Sequence, residues 1–345
     1  MKRQLSRSRA ISMSILQTTL FLLTLGTRMI PSSAQRNTKR GIAYLGNTHK
    51  SDNSLLLSSS SPLSWYYNWS PYPATEQIPL DSPLEFTPLV HGIDDAESSQ
   101  TQHQIKSLPR SSMHILTFNE PDGDKDSGGS DIDPEDAARA YIEHIVPYHT
   151  SNSRGGRTWN ISHPSVTRSP RGLDWLRQFN LSCYKIDEEN GCPTDFIAAH
   201  WYGAFDGLAS WLGTLDEFYN ANRSDDTARL KIWITEMALP QANTHDTVNM
   251  MNQTLPYLEK LEYVEKYAWF GAFRTDDANE WTGDGVALFD DDGGLTKLGA
   301  LYMGGEVNGF EEGDKGNAGT ANLVKVNAGL LWVLAMFTMF VSSFW

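Results

Sequence analysis

His114-Ile115-Leu116-Thr117-Phe118-Asn119-Glu120-Pro121 and Leu230-Lys231-Ile232-Trp233-Ile234-Thr235-Glu236 share one design. Each is a short run of apolar, β-branched and aromatic residues that closes on a glutamate. Such runs read as strands. Strands with little polar alternation are those buried on both faces, as in parallel sheets. Two buried strands that each deliver one carboxylate at the carboxyl end, 116 residues apart in the chain, decide how the remainder is read.

Six further runs have the same character: Gly41–Leu45, Ser64–Trp69, Glu85–His91, Arg157–His163, Asp195–Tyr202 and Tyr267–Phe273. Helical signals lie between several of them. Asp133-Pro134-Glu135-Asp136 combines a cap, a first-turn proline and acids at the positive helix end. Ala138, Tyr141, Ile142 and Ile145 follow at helical spacing. Ser169-Pro170 opens a second helix, and residues 245–262 form a third in which Pro256 predicts a kink. Thr296 caps a last one. Eight strands with intervening helices predict an α/β fold of the (β/α)8 TIM-barrel type in a single catalytic domain. The structural alternative is an open doubly wound sheet. The first strand is not followed by a Gly-rich phosphate loop, which counts against a nucleotide-binding version of it.

The two ends of the 345-residue chain differ from its middle. Residues 1–34 hold five basic residues, no acid and an apolar run from Ile15 to Leu25 before Ser32-Ser33-Ala34. That order predicts a signal peptide. Residues 318–345 hold one lysine, no acid and an apolar tail; small residues at 316–319 precede it. This predicts a removable GPI-attachment signal with Asn317 as attachment residue. The domain expectation is therefore signal peptide 1–34, barrel 35–305, linker 306–317 and anchor signal 318–345. The protein is expected outside the cell, in the wall or on the outer membrane leaflet, with the lipid as its membrane contact.

All 42 acids and 22 of the 28 Lys and Arg fall between these ends, a net −20. So acidic a surface repels phosphate backbones and argues against nucleic-acid binding. Asn160, Asn180, Asn222 and Asn252 lie in glycosylation sequons, and Asn68 lies in a fifth that Pro71 follows closely. Cys183 and Cys192, the only cysteines, are expected to form a local disulfide in an oxidising compartment. Asp122-Gly123-Asp124-Lys125-Asp126-Ser127 begins like a calcium loop. It lacks the glycine at the sixth position and the glutamate at the twelfth, and reads instead as an acidic loop near the strand end. No metal and no cofactor is expected, and the chain is expected to be monomeric.

Catalytic residues of such barrels stand where strands end. Two facing carboxylates are what glycosidic cleavage needs: one protonates the leaving oxygen, the other attacks the anomeric carbon or activates water. The wider pattern adds Gly41-Ile42-Ala43-Tyr44, Trp65-Tyr66-Tyr67-Asn68-Trp69, Phe118-Asn119-Glu120-Pro121, Ala199-His200-Trp201-Tyr202 and Trp233-Ile234-Thr235-Glu236. Together these resemble glycoside hydrolase family 128 of clan A, the fungal alkali-sensitive linkage protein-like glycosidases, over about residues 40–305. The resemblance implies a TIM barrel, a cell-wall setting and retaining endo-acting cleavage of β-1,3-glucan. It also implies that Glu120 is the general acid/base and Glu236 the nucleophile. Transglycosylation between glucans and non-catalytic glucan binding are the alternatives.

Further side chains fit a sugar cleft. Asn119 suits the sugar 2-hydroxyl, although strict alternation turns neighbours Asn119 and Glu120 to opposite faces, so the strand must end or bulge there. Tyr202 matches the clan A tyrosine that contacts the nucleophile, and His200 shares its face. Trp65, Tyr67 and Trp69 recur every second residue beside Asn68, and Trp201 and Trp269 lie on later strands. Aromatic rings offer flat apolar faces and polar tips of the kind sugars need. All are expected to bind substrate.

Overall fold

The computed structural model describes residues 36–46, 49–150, 157–223 and 229–316. The expected signal peptide, Asn317 and the expected anchor signal lie outside these residues. Among the described residues nine strand segments form: β1 (Arg40–Ala43), β2 (Trp65–Tyr67), β3 (Glu85–Phe86), β4 (Leu89–Val90), β5 (His114–Thr117), β6 (Asn160–Ile161), β7 (Phe196–Tyr202), β8 (Lys231–Ala238) and β9 (Val264–Phe270). Every pairing between them is parallel.

The count of eight survives because β3 and β4 are two halves of one stave. β3 pairs with β2 and β4 with β5. Pro88, which lacks an N–H, stands at the break. Hydrogen bonding continues across it, with Thr87 N–H donating to Tyr66 O and Leu116 N–H to Pro88 O. A single parallel bridge from Ser162 to Phe196 joins β6 to β7, and β1 lies between β2 and β9. The staves close in sequence order, which is the (β/α)8 arrangement.

The helices begin where their caps predicted. Asp133, Ser169 and Thr296 side chains each accept a backbone N–H of the first turn, opening helices Pro134–Ala140, Pro170–Ile186 and Lys297–Tyr302. The helix Thr244–Lys260 is capped by Asn243 and runs through Pro256. The stretch after Ala140 is a π-turn over Tyr141–Ile145 before α-helix resumes at Val146.

Residues 306–316 are not the expected linker. Phe310 is buried, Leu295 N–H donates to Asp314 O and Gly313 N–H to Leu295 O, and Lys315 bridges to Gly294 and pairs with Asp292. An apolar ring in the segment needs cover, so it folds back onto the barrel. Cys183 and Cys192 are joined by a disulfide. Asn180, Asn222 and Asn252 are exposed. Asn160 is instead a half-buried strand residue whose amide lies 3.2 Å from His114 Nε2. Since His114 packs on Trp233 and Phe196, Asn160 drops out of the accessible glycan acceptors.

The lower barrel interior is filled by Trp65, Trp233, Phe196 and His114, with ring centroids 4.4–5.3 Å apart between Trp233 and Phe196, His114 or Trp65. A Cβ on Gly41 would sit 2.2 Å from the Trp65 indole, so the first stave must carry glycine where the indole crosses it. Lys266 lies 4.8 Å above the Trp233 ring and 3.6 Å from Glu85. This packed floor lets the opposite, carboxyl end of the barrel hold the chemistry.

Just after β6, His163 is buried among Tyr141, Phe179 and Tyr219. Its Nε2 lies 2.8 Å from Cys192 O and its Nδ1 3.2 Å from Tyr219 Oη. Burial depresses its pKa to about 4, against the raising effect of the Cys192 carbonyl. A depressed folded-state value means that the neutral ring stabilises the fold at and above the unfolded value of about 6.5, and that this contribution falls away as pH drops toward 4. The loss is about 3 kcal/mol over that window. Thermal unfolding followed from pH 7 to pH 4 should therefore fall more steeply in the native chain than in His163→Gln. Parallel curves would show that His163 does not set the acid sensitivity.

Candidate active site

The carboxyl end of the barrel gathers Glu120, His200 and Glu236. His200 Nδ1 is 2.8 Å from Glu120 Oε1, and His200 Nε2 is 3.5 Å from Glu236 Oε1. One atom from each of the three groups lies within 4.8 Å of the others. The side chains of Glu236 and His200 are 7% and 1% exposed, and that of Glu120 is 17% exposed. Glu120 is thus the more exposed of the two acids and Glu236 the more buried.

Backbone irregularity brings these side chains together. β5 ends at Thr117, and Phe118 and Glu120 adopt φ of +31° and +39°. The conflict between alternation and a joint role for Asn119 and Glu120 is resolved by this local turn. β8 has a second break. Trp233 faces the interior, so strict alternation would turn Glu236 outward. The β7–β8 register skips Thr235, pairing Ala199 with Ile234 and His200 with Glu236. This bulge re-aims Glu236 inward and sets it abreast of His200. Trp69, beyond the end of β2, has φ of +55°. Left-handed backbone at bulky residues is costly and clusters at working sites.

Both Glu236 oxygens carry donors. Oε1 accepts from Tyr67 Oη at 3.1 Å and Trp69 Nε1 at 2.7 Å, and Oε2 accepts from Tyr202 Oη at 2.5 Å. Charge-assisted donors favour the anion. Burial, the Glu236 charge and the hydrogen bond to it hold both tyrosine hydroxyls well above their ordinary range, so they remain donors. Burial works to lower the His200 pKa, but the Glu236 charge and the Glu120 hydrogen bond and charge outweigh it and raise the value. The arrangement is a carboxylate engaged by three donors beside a second carboxyl group, with an imidazole of raised pKa between them. Two carboxylates and an imidazole also form the one group of potential cation ligands of this kind found among the described residues. Because both Glu236 oxygens are already engaged by donors, the set fits a held anion better than a metal site.

Of the expected substrate-binding residues, Tyr67, Trp69, His200 and Tyr202 converge on the carboxylates. Asn119 is the neighbour of Glu120; its amide N–H donates to Gly128 O at 3.0 Å, and its buried Oδ1 has no partner. Asn68 is half-buried and donates to Tyr72 O. Trp65, Trp201 and Trp269 are not brought to the pair. Trp65 belongs to the floor, with its indole on Lys39 O. Trp201 lies between the inward His200 and Tyr202, so it faces outward, where it packs beneath Arg168 and donates to Ala204 O. Trp269 shares the outward parity of Tyr267 on β9, and its indole donates to Val286 O. Strand alternation decides all three.

The residues missed lie chiefly between strands. Asp122 accepts from Thr167 N–H at 2.8 Å and from its hydroxyl, tying the loop after β5 to the loop after β6. Phe270 packs between Trp69 and Tyr202. Trp281, in the loop after β9, meets Tyr202 edge to face with centroids 4.6 Å apart. Its only sequence signal is a lone tryptophan in the turn-rich stretch Asn279-Glu280-Trp281-Thr282-Gly283.

Residues 41–302 match the family described as the glycosyl hydrolase catalytic core. The chain is 28% identical over 276 residues to alkali-sensitive linkage protein 1 of Schizosaccharomyces pombe, covering 77% of this chain and 44% of that protein. It therefore spans less than half the length of that relative. Among solved structures it resembles a subgroup VI family 128 exo-β-1,3-glucanase from Aureobasidium namibiae, with TM-score 0.61, 22% identity and coverage of 79% and 98% of the two chains. A subgroup III curdlan-specific exo-β-1,3-glucanase from Blastomyces gilchristii gives TM-score 0.57, 26% identity and coverage of 77% and 97%. A subgroup II endo-β-1,3-glucanase from Sorangium cellulosum gives TM-score 0.57, 26% identity and coverage of 77% and 98%. With two carboxylates at the ends of the fourth and seventh staves of a (β/α)8 barrel, the chain belongs to the glycosyl hydrolase catalytic-core family and is a glycoside hydrolase with family 128 enzymes as its relatives.

Proposed function

We propose that the protein is a retaining endo-β-1,3-glucanase of the cell wall, with Glu236 as nucleophile and Glu120 as general acid/base. The observation that carries this reading is the approach of the two carboxyl groups, which present oxygens within 4.8 Å of each other. Retaining enzymes hold them about 5–5.5 Å apart, whereas inverting enzymes need about 6.5–9.5 Å to admit a water. The β-1,3-glucanase activities of the related structures support the linkage.

In this mechanism a Glu236 oxygen attacks the anomeric carbon while Glu120 gives its proton to the glycosidic oxygen. The C–O bond breaks, the shortened glucan leaves and a glycosyl ester remains on Glu236. Glu120 then takes a proton from water as that water attacks the same carbon, and Glu236 departs as carboxylate. Tyr67, Trp69 and Tyr202 favour the anionic start and end states. Esterification removes the Glu236 charge, and with it one of the attractions that hold the proton on His200.

We also propose that the enzyme is exported and lipid-anchored. The two terminal segments, the Cys183–Cys192 disulfide and the exposed sequons at Asn180, Asn222 and Asn252 support this. Release from cells by a phosphatidylinositol-specific phospholipase is the expected result, with retention after treatment the contrary one.

Incubation of the protein with linear β-1,3-glucan should yield a ladder of oligosaccharides whose new reducing ends are first β. Glucose alone would overturn endo action, and a first α-anomer would overturn retention. Glu120→Gln should lower kcat by about 10²–10⁴-fold and Glu236→Gln should leave no measurable turnover, both with the native fold by circular dichroism. Full activity in either variant sinks the assignment.

His200→Gln should lower kcat/KM by about 10²-fold, since misplacement of a catalytic group by about 1 Å costs that much. It should also change the shape of the pH–rate profile, because the imidazole that hydrogen-bonds Glu120 and lies 3.5 Å from Glu236 is gone. An unaltered rate and profile would reduce His200 to packing.

A further inference from the structure

We propose that Trp281 is the stacking platform for a glucosyl unit adjoining the one whose bond is cleaved; this rests on the glucanase reading above. Trp65, Trp159, Trp233 and Trp269 are fully buried, whereas Trp281 is 57% exposed, the one exposed tryptophan among the described residues. An indole left in water forgoes a large apolar gain, so its position calls for a reason.

The loop that carries it is built to hold it there. Asn279 Oδ1 accepts from Trp281 N–H at 3.1 Å, Thr282 N–H at 2.8 Å and the Thr282 hydroxyl at 3.0 Å. Gln241, with φ of +58°, reaches across from the loop after β8. Its side-chain amide donates to Glu280 O at 2.5 Å and Trp281 O at 2.9 Å, and its N–H donates to Thr282 O. Thr282 is fully buried beside the exposed ring. The backbone on both sides of Trp281 is thus pinned while the side chain is kept out of the core. Fixing a ring in place before binding lowers the entropy cost of using it.

The direction of the ring follows from its aromatic neighbour among the described residues. It meets Tyr202 edge to face, and Tyr202 donates to Glu236. Trp281 is therefore one residue removed from the attacking carboxylate, beside the tyrosine that engages Oε2 rather than the pair on Oε1. A sugar held over Glu236 places the next ring of its chain within reach of the indole. A pyranose C–H face on an aromatic face is the match of shape and polarity such a ring offers. The ligand class is a β-linked gluco-oligosaccharide of two or more units.

The test is binding of a linear β-1,3-gluco-oligosaccharide of six units to the full chain carrying Glu120→Gln, a background that leaves the Glu236–Tyr202–Trp281 contacts in place. Adding Trp281→Ala should weaken the dissociation constant about tenfold or more and remove a share of the tryptophan fluorescence change. Trp281→Tyr should restore most of the affinity. Melting temperatures should agree among these variants because the ring is exposed. Equal affinity in Trp281→Ala, or a loss that Trp281→Tyr does not mend, overturns the platform. If the native chain cleaves the glucan, either result leaves the glucanase reading standing. Failure of the native chain both to cleave and to bind overturns that reading and this one together.

Discussion

A buried carboxylate without partners would cost more than most single interactions in a protein contribute. Glu236 is a buried carboxylate, and much of the upper barrel is arranged to give it partners. Tyr67 and Trp69 come from the second stave and Tyr202 from the sixth, while the glutamate itself is on the seventh. Three staves are thereby tied to one charge. His200 then links that charge to Glu120 on the fourth stave. The carboxylate pair and the local cohesion of the barrel mouth consequently rest on the same set of polar contacts.

The cost of this arrangement is visible in the backbone. Regular strands would give strict in–out alternation, which cannot turn Asn119 with Glu120, or Trp233 with Glu236, toward the interior. The chain departs from regularity at those places: left-handed φ at Phe118 and Glu120, and a skipped residue at Thr235. The β1–β2 and β1–β9 pairs, by contrast, keep plain parallel register. Below the site, Trp65, Trp233, Phe196 and His114 fill the barrel. The division is typical of barrels of this type, where one end gives stability and the other chemistry.

Much of the site was legible because its residues sit at the ends of apolar runs, and a run followed by a glutamate is visible in one dimension. Tyr67, Trp69, His200 and Tyr202 were legible for the same reason, since they share a strand end with the carboxylates or face them. Trp65, Trp201 and Trp269 were misplaced because aromatic character does not reveal parity. Trp65 faces inward but too low, and Trp201 and Trp269 face the helices. Residues 306–316 were misread as a linker because their one buried anchor, Phe310, is isolated among acids and glycines.

By itself the sequence determined the eight apolar staves, the caps that start the helices and the two strand-end glutamates. These are local or periodic properties, dictated by side-chain type and spacing along the chain. Only the tertiary structure decided that the third stave splits at Pro88 and that a bulge turns Glu236 inward. It likewise decided that His200 spans the two carboxylates and that Trp281 from the last loop reaches Tyr202. Each of these depends on which residues from distant segments meet across the barrel, and a meeting of that kind is set by closure of the sheet and by the need to satisfy a buried charge.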